Sequence, residues 1–263
     1  MKIGVFDSGI GGLSTLHQIM HTLPDEEYIF YADVDHVPYG EKTKEEVLSY
    51  VDEAVGFMVK QNCKAIVLAC NTATSVAITP MRQKYKLPII GIEPAVKPAV
   101  MHHGDKRIMV IATPITAREV KLRKLIDRFD TEGNVDVVPM PGLVRLAQNC
   151  EFESDKVMEY LKEAFKGYDL NNYSELVLGC THYNYFKDSY ARIFPNGIEM
   201  VDGNQGVANN LKNILKTCGI INLEAPKEKE EVKYYYSGRL LSDKDELQKI
   251  KMLHERLEEM LRL

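Results

Sequence analysis

Short, fully apolar runs alternate along the chain with segments whose apolar residues recur every three or four positions. Runs of the first kind read as buried strands and segments of the second kind as amphipathic helices. Strands are predicted at Lys2–Phe6, Tyr28–Ala32, Ala65–Ala69, Pro88–Ile92, Arg107–Ala112, Val135–Val138, Glu175–Gly179 and Ile198–Val201, with a late one at Glu231–Ser237. Helices are predicted over 11–22, 43–62, 72–85, 115–129, 183–193, 204–218 and 242–263, with helical segments filling 142–167. Thr43 with Glu46 three residues later forms a capping box at the start of the second helix. In the last helix Leu247, Ile250, Leu253, Leu257 and Met260 or Leu261 form one stripe, which reads as a face docked on a core. Strand–helix units repeated in this way imply parallel sheets covered by helices. Two smaller doubly wound sheets fit the length better than one closed barrel. The stretch Glu93–Gly104, with Pro94 and Pro98, reads as the crossover between them, and the charged stretch Lys227–Glu231 as a solvated link.

Composition narrows this picture by exclusion. The 263 residues carry 33 Lys plus Arg against 38 Asp plus Glu, a formal charge of −5, which leaves no basic footprint for nucleic acid or an anionic membrane. No apolar run approaches the ~20 residues that span a bilayer, and the N-terminus lacks the apolar stretch of a signal peptide. A cytoplasmic location is therefore expected. The five cysteines are odd in number, widely spaced and without a CxxC, which argues against disulfides and a zinc ribbon. His102 and His103 are adjacent, and His17, His21, His36 and His254 show no ligand spacing, so no metal site is expected.

Two of the cysteines stand in matching contexts. Ala65–Thr72 and Glu175–His182 each run as apolar strand, small residue, cysteine, then hydrogen-bonding residues opening a helix. Ligands of open α/β sheets sit at the carboxyl ends of strands, so Cys70 and Cys180 fall where ligands bind. The helix N-termini beside them are expected to favour thiolate. A lone cysteine at a strand end reads as a small core residue; the second copy shifts the reading toward chemistry. Cys63, Cys150 and Cys218 lack this context and read as structural. Phe6–Leu13 is a third strand end. Its glycines expose N–H groups that can hold an anion, but neither a Walker lysine nor GxGxxG is present, so a carboxylate fits better than a nucleotide. Asp7, at that strand end, could orient an ammonium group, tune Cys70 by its charge, or act only as a helix cap.

These motifs resemble those of the glutamate racemases. The resemblance rests on Phe-Asp-Ser-Gly-Ile-Gly-Gly-Leu-Ser at 6–14, Val-Pro-Tyr-Gly at 37–40, Ala-Cys-Asn-Thr-Ala-Thr at 69–74, Gly-Cys-Thr-His-Tyr at 179–183 and the late Tyr-Tyr-Ser-Gly at 235–238. It covers nearly the whole chain. It implies two α/β domains facing across an active-site cleft, one formed by 1–96 plus 208–263 and the other by 97–207. It implies cofactor-independent racemisation that supplies D-glutamate for peptidoglycan. Cys70 and Cys180 match the catalytic cysteines, with Cys70 acting on the D-isomer; Asp7 and His182 match their assistants. Ser8, Pro38, Tyr39, Gly40, Asn71, Thr72, Thr113, Thr116 and Thr181 match substrate contacts. No cofactor and no metal are implied, glutamate is the partner, and a homodimer is left open. One departure stands out: Gln148 occupies a place where the family usually has glutamate, and Glu151 lies three residues on. A racemase for aspartate, a two-lobed binding module and a Cys180–His182 hydrolase are the competing readings.

Overall fold

A computed structural model describes residues 1–102, 104–195, 197–224 and 230–263. His103 and most of the expected link at Lys227–Glu231 lie outside the described residues. The strands are β1 (Lys2–Asp7), β2 (Tyr28–Ala32), β3 (Cys63–Leu68), β4 (Ile89–Gly91), β5 (Arg107–Ala112), β6 (Val135–Pro139), β7 (Tyr173–Gly179), β8 (Glu199–Val201), β9 (Lys233–Tyr236) and β10 (Arg239–Leu240). They form two sheets, ordered β10-β9-β2-β1-β3-β4 and β6-β5-β7-β8. Every pairing is parallel except β10 with β9, a short antiparallel extension absent from the sequence reading.

The helices are α1 (Leu13–Thr22), α2 (Lys44–Lys60), α3 (Asn71–Lys84), α4 (Val96–His102), α5 (Pro114–Arg118), α6 (Val120–Phe129), α7 (Pro141–Gln148), α8 (Asp155–Ala164), α9 (Lys187–Ile193), α10 (Asn204–Thr217) and α11 (Lys244–Met260). The predicted capping box is present: Thr43 accepts from the Glu46 N–H, and the Glu46 carboxylate accepts from the Thr43 N–H. One expectation is corrected. The helix expected over 115–129 is two helices, split at Glu119, whose backbone is extended (φ −68°, ψ 135°). The helical segments expected over 142–167 are α7 and α8, separated where Cys150 takes φ 57°. The stretch 93–104 carries α4.

The middle strands are buried on both faces, as their unbroken apolar runs require. Ile3, Val5, Ile66, Val67, Met109, Val110, Leu176 and Val177 are all fully covered. Removing one such Leu, Ile or Val side chain from water contributes ~1.5–3 kcal/mol. α11 buries Ile250, Leu253, Leu257 and Met260, while Leu247 and Leu261 lie outside the stripe and are exposed. It also buries Arg256, whose guanidinium donates to the Tyr185 carbonyl and pairs with Asp188 at 2.8 Å. The last helix thus reaches across from the six-stranded sheet to the connection that follows β7.

Candidate active site

β1, β3, β5 and β7 all end on the same seam, and each strand end delivers polar side chains to it. Asp7 closes β1, Cys70 follows β3, Thr113 follows β5 and Cys180 follows β7. Side chains from the two sheets meet there. Thr72 Oγ1 lies 2.9 Å from Thr113 Oγ1, and Thr113 donates to Thr116 at 3.0 Å. Thr181 donates to Asp7 Oδ2 at 3.0 Å, and Tyr185 donates to the Ile10 carbonyl at 3.0 Å.

Cys70 caps α3, with its Sγ accepting from the Ala73 N–H at 3.4 Å and lying 3.5 Å from Ser8 Oγ. Cys180 sits in extended backbone before a tight turn, Thr181–Phe186, which precedes α9. Its Sγ lies 3.8 Å from His182 Nδ1. The two local sequences are alike, but only Cys70 serves as a helix cap. Both sulfurs are buried, and a charge on Cys70 raises Cys180, so the two act within one electrostatic neighbourhood.

The expectation of thiols with lowered pKa is overturned. Burial pushes Cys70 up to about 12, helped by the negative charge of Asp7. Burial and then Cys70 push Cys180 well above its ordinary value. Desolvation of an anion outweighs the two or three N–H groups and the helix end that favour it. Asp7 is not the cap of α1, which starts after Gly12. Its carboxylate accepts from the Gly9 N–H at 2.8 Å, yet burial lifts it to about 7. His182 is buried and burial alone lowers it to about 3, so its imidazole is neutral at physiological pH.

Gln148, at the end of α7, places its amide Nε2 2.6 Å from His182 Nε2. Glu151 does not substitute for it, because its carboxylate pairs with Lys156 at 2.8 Å. A neutral amide supplies no charge to hold imidazolium, in keeping with the low basicity of His182. The glycine loop leaves no room here. A Cβ on Gly11 would stand 2.4 Å from His182 Nδ1 and 2.7 Å from its backbone N, which explains glycine at that position.

The loop Val37–Gly40 closes the other side. Its Val37–Pro38 bond is cis, and Tyr39 and Gly40 form a buried single turn. A Cβ on Gly40 would stand 2.9 Å from Thr113 Cβ. Tyr39 donates to Asp33 Oδ2 at 2.6 Å, and Asp33 also accepts from Ser237 at 2.9 Å and contacts His36 Nδ1 at 2.9 Å. Asp33 is the anchor that sequence reading missed; the clue was an acidic residue at the end of β2, three residues before His36. Asn71 Oδ1 is buried with no hydrogen-bond partner among the described residues. All thirteen expected site residues therefore gather on this seam, with Pro38 contributing through the loop. Cys63 opens β3, while Cys150 is half-buried and Cys218 exposed, all outside the seam.

Asp7 carries a testable pH signature. Its folded pKa is raised, so its contribution to stability is complete below the ordinary value of 3.8 and is lost as pH rises through about 7. Asp7→Asn is expected to keep the Gly9 N–H bond on its amide oxygen, to donate from its amide nitrogen to the Thr181 hydroxyl, and to flatten the difference in urea-unfolding free energy across that window. An unchanged pH slope relative to the parent chain would show that Asp7 is not the buried acid described.

Two buried strand-end thiols, one from each sheet, thus lie among hydroxyls and N–H groups where the strands of both sheets end. The family model described as Asp/Glu/Hydantoin racemase matches residues 6–211, and the chain belongs to that family. Relatives that run nearly its full length include glutamate racemases. One from Lachnospira eligens is 62% identical over 99% of both chains. A solved structure of the Escherichia coli glutamate racemase in complex with L-glutamate and the activator UDP-MurNAc-ala has a TM-score of 0.80, at 27% identity, covering 97% of this chain and 95% of that one. The Francisella tularensis glutamate racemase in complex with D-glutamate gives 0.79, at 26% identity, covering 96% and 92%.

Proposed function

We propose that the chain interconverts L- and D-glutamate without a cofactor, with Cys70 and Cys180 as the two acid–bases. The observation that carries this reading is the pair of buried strand-end sulfurs, one from each sheet, coupled through their charges. Inverting an α-carbon requires a proton removed from one face and another delivered to the opposite face. Two groups on opposite walls do this with little motion, provided one begins as thiolate and the other as thiol. With D-glutamate, the Cys70 thiolate takes the α-proton, and Cys180 gives its own proton to the other face. With L-glutamate the roles exchange. Protons balance over the cycle, and the enzyme ends in the opposite protonation state.

Both thiols resist ionisation, so each depends on the groups beside it. Asp7, raised to about 7, is the buried acid whose charge acts on Cys70. The neutral His182 imidazole, 3.8 Å from the sulfur, is too weak a base to hold the Cys180 proton and suits orienting that thiol. Ser8, Pro38, Tyr39, Gly40, Asn71, Thr72, Thr113, Thr116 and Thr181 form the binding surface. The unpartnered Asn71 Oδ1 suits an ammonium donor. The hydroxyls of Thr72, Thr113 and Thr116, which bond to one another here, suit a carboxylate. Fixed donors in a water-poor site stabilise the charge that develops as the α-carbon loses its proton. We assign 1–96 plus 208–263 to one domain and 97–207 to the other. No described helix is long and apolar enough to cross a membrane, and the function proposed is the cytoplasmic supply of D-glutamate for peptidoglycan.

Circular dichroism of purified chain with each glutamate isomer in D2O tests this. The expected result is racemisation, with deuterium at the α-carbon mainly in the product isomer. Turnover of aspartate as fast as glutamate would overturn the substrate assignment, and equal early labelling of both isomers would overturn the two-base scheme.

A further inference from the structure

Away from the seam, α1 and α11 bring together residues that the sequence reading had left without a role. His17 and His21 lie one turn apart on α1, and α11 lays Glu258 across them. His17 Nε2 is 2.9 Å from Glu258 Oε2 and 3.2 Å from His21 Nε2, and His21 Nε2 is 3.7 Å from the same carboxylate oxygen. A tetrahedral ion with bonds of ~2.0–2.1 Å holds its ligand atoms ~3.4 Å apart. The three observed separations bracket that spacing.

The surroundings suit the same use. His17 Nδ1 lies 3.3 Å from His254 Nδ1, and His254 Nε2 lies 3.2 Å from the Tyr234 hydroxyl. With His17 Nε2 bound to an ion, Nδ1 keeps its proton and donates to His254 Nδ1. His254 then donates from Nε2 to the Tyr234 oxygen. Every member of the row has a partner, and the tautomer of the first ligand is fixed in the way buried metal-binding histidines are held. His17 is largely covered, whereas His21 and Glu258 are about half exposed, which leaves a path for an ion from solvent. Two imidazoles and one carboxylate suit zinc and its neighbours rather than magnesium or calcium, which take oxygen sets.

We propose that His17, His21 and Glu258 bind one divalent transition-metal ion of the zinc class, leaving the fourth position to water. The ion clasps the C-terminal helix α11 to α1, the helix that leads out of the glycine loop. It takes no part in moving the α-proton, and the proposal stands independently of the racemase reading.

The test uses the full chain stripped by chelator and then titrated with Zn2+ or Co2+. One equivalent is expected to bind, raising the thermal unfolding midpoint as free Zn2+ rises. Co2+ is expected to develop visible ligand-field absorption without a thiolate charge-transfer band. His21→Ala and Glu258→Gln, both at accessible positions, are expected to fold as the parent does and to lose the midpoint shift and the absorption. Three results would overturn the site: no binding, one-to-one binding that survives the double variant, or a thiolate band, which would put the ion on cysteines such as the exposed Cys218.

Discussion

Cys70→Ser and Cys180→Ser are each expected to lower kcat/KM for racemisation in both directions by ~10^2–10^4-fold, the usual contribution of a positioned acid or base. The loss follows from symmetry. In the proposed scheme each direction uses both sulfurs, one to take a proton and one to give it, so neither variant would keep a direction intact. Isotope exchange separates the two. Cys70→Ser retains Cys180 as a base, and should wash solvent deuterium into L-glutamate without inverting it. Cys180→Ser should do the same for D-glutamate alone. Both sulfurs are buried in polar company, Cys70 beside Ser8 Oγ and Cys180 beside His182, so a serine hydroxyl finds a partner and the unfolding midpoint should move little. Retained racemisation in either variant would end the two-thiol assignment. Exchange on the wrong isomer would reverse the assignment of faces.

The largest expected effect on stability lies away from the site. Lys64 Nζ pairs with Glu26 Oε2 at 2.6 Å, with the two side chains 4% and 1% exposed. The ammonium also donates to the Ile220 carbonyl at 2.6 Å and to Asn222 Oδ1 at 3.1 Å, while Glu26 Oε1 accepts from the Asn222 N–H at 2.8 Å. Lys64→Met leaves the Glu26 carboxylate buried without its cation. Breaking a buried pair in this way destabilises by ~3–5 kcal/mol. The double change Lys64→Met with Glu26→Leu is expected to recover much of that, because two apolar side chains leave no stranded charge. Urea unfolding of the parent, both single variants and the double variant measures the coupling. A Lys64→Met loss within ~0.5 kcal/mol of zero would mean that the pair is open to water.

The sequence disclosed the parts of the molecule that depend on local pattern. Tyr28–Ala32 and Arg107–Ala112 are strands to the residue, because unbroken apolar runs flanked by polar turns leave little choice. The Thr43–Glu46 box formed as written, since both of its hydrogen bonds lie within one turn. The seam was legible through its repeated strand-end cysteine. What failed depended on distant neighbours. The helix expected over 115–129 breaks at Glu119, whose carboxylate pairs with Lys44 at the start of α2, far back along the chain, at 2.7 Å. The thiols were expected to be acidic because helix ends are visible in a sequence, whereas the depth of their burial is not. Asp33 escaped notice because two of its partners, Tyr39 and Ser237, come from a loop and from the far end of the chain. His17, His21 and Glu258 escaped because two lie near the beginning and one near the end.

The place of β9 in its sheet has a consequence for synthesis. β9 lies parallel to β2, between it and β10, and Ser237 beside it helps hold Asp33 and, through Asp33, Tyr39. A ribosome delivers β2 early and β9 only near the end of its work. Until residue 233 emerges, β2 presents a bare hydrogen-bonding edge of the sort that invites pairing with another nascent chain. Assembly of the Val37–Gly40 loop is thereby deferred until translation is almost finished, and a cell that interrupts translation upstream of β9 is left with an adhesive fragment in place of a finished fold.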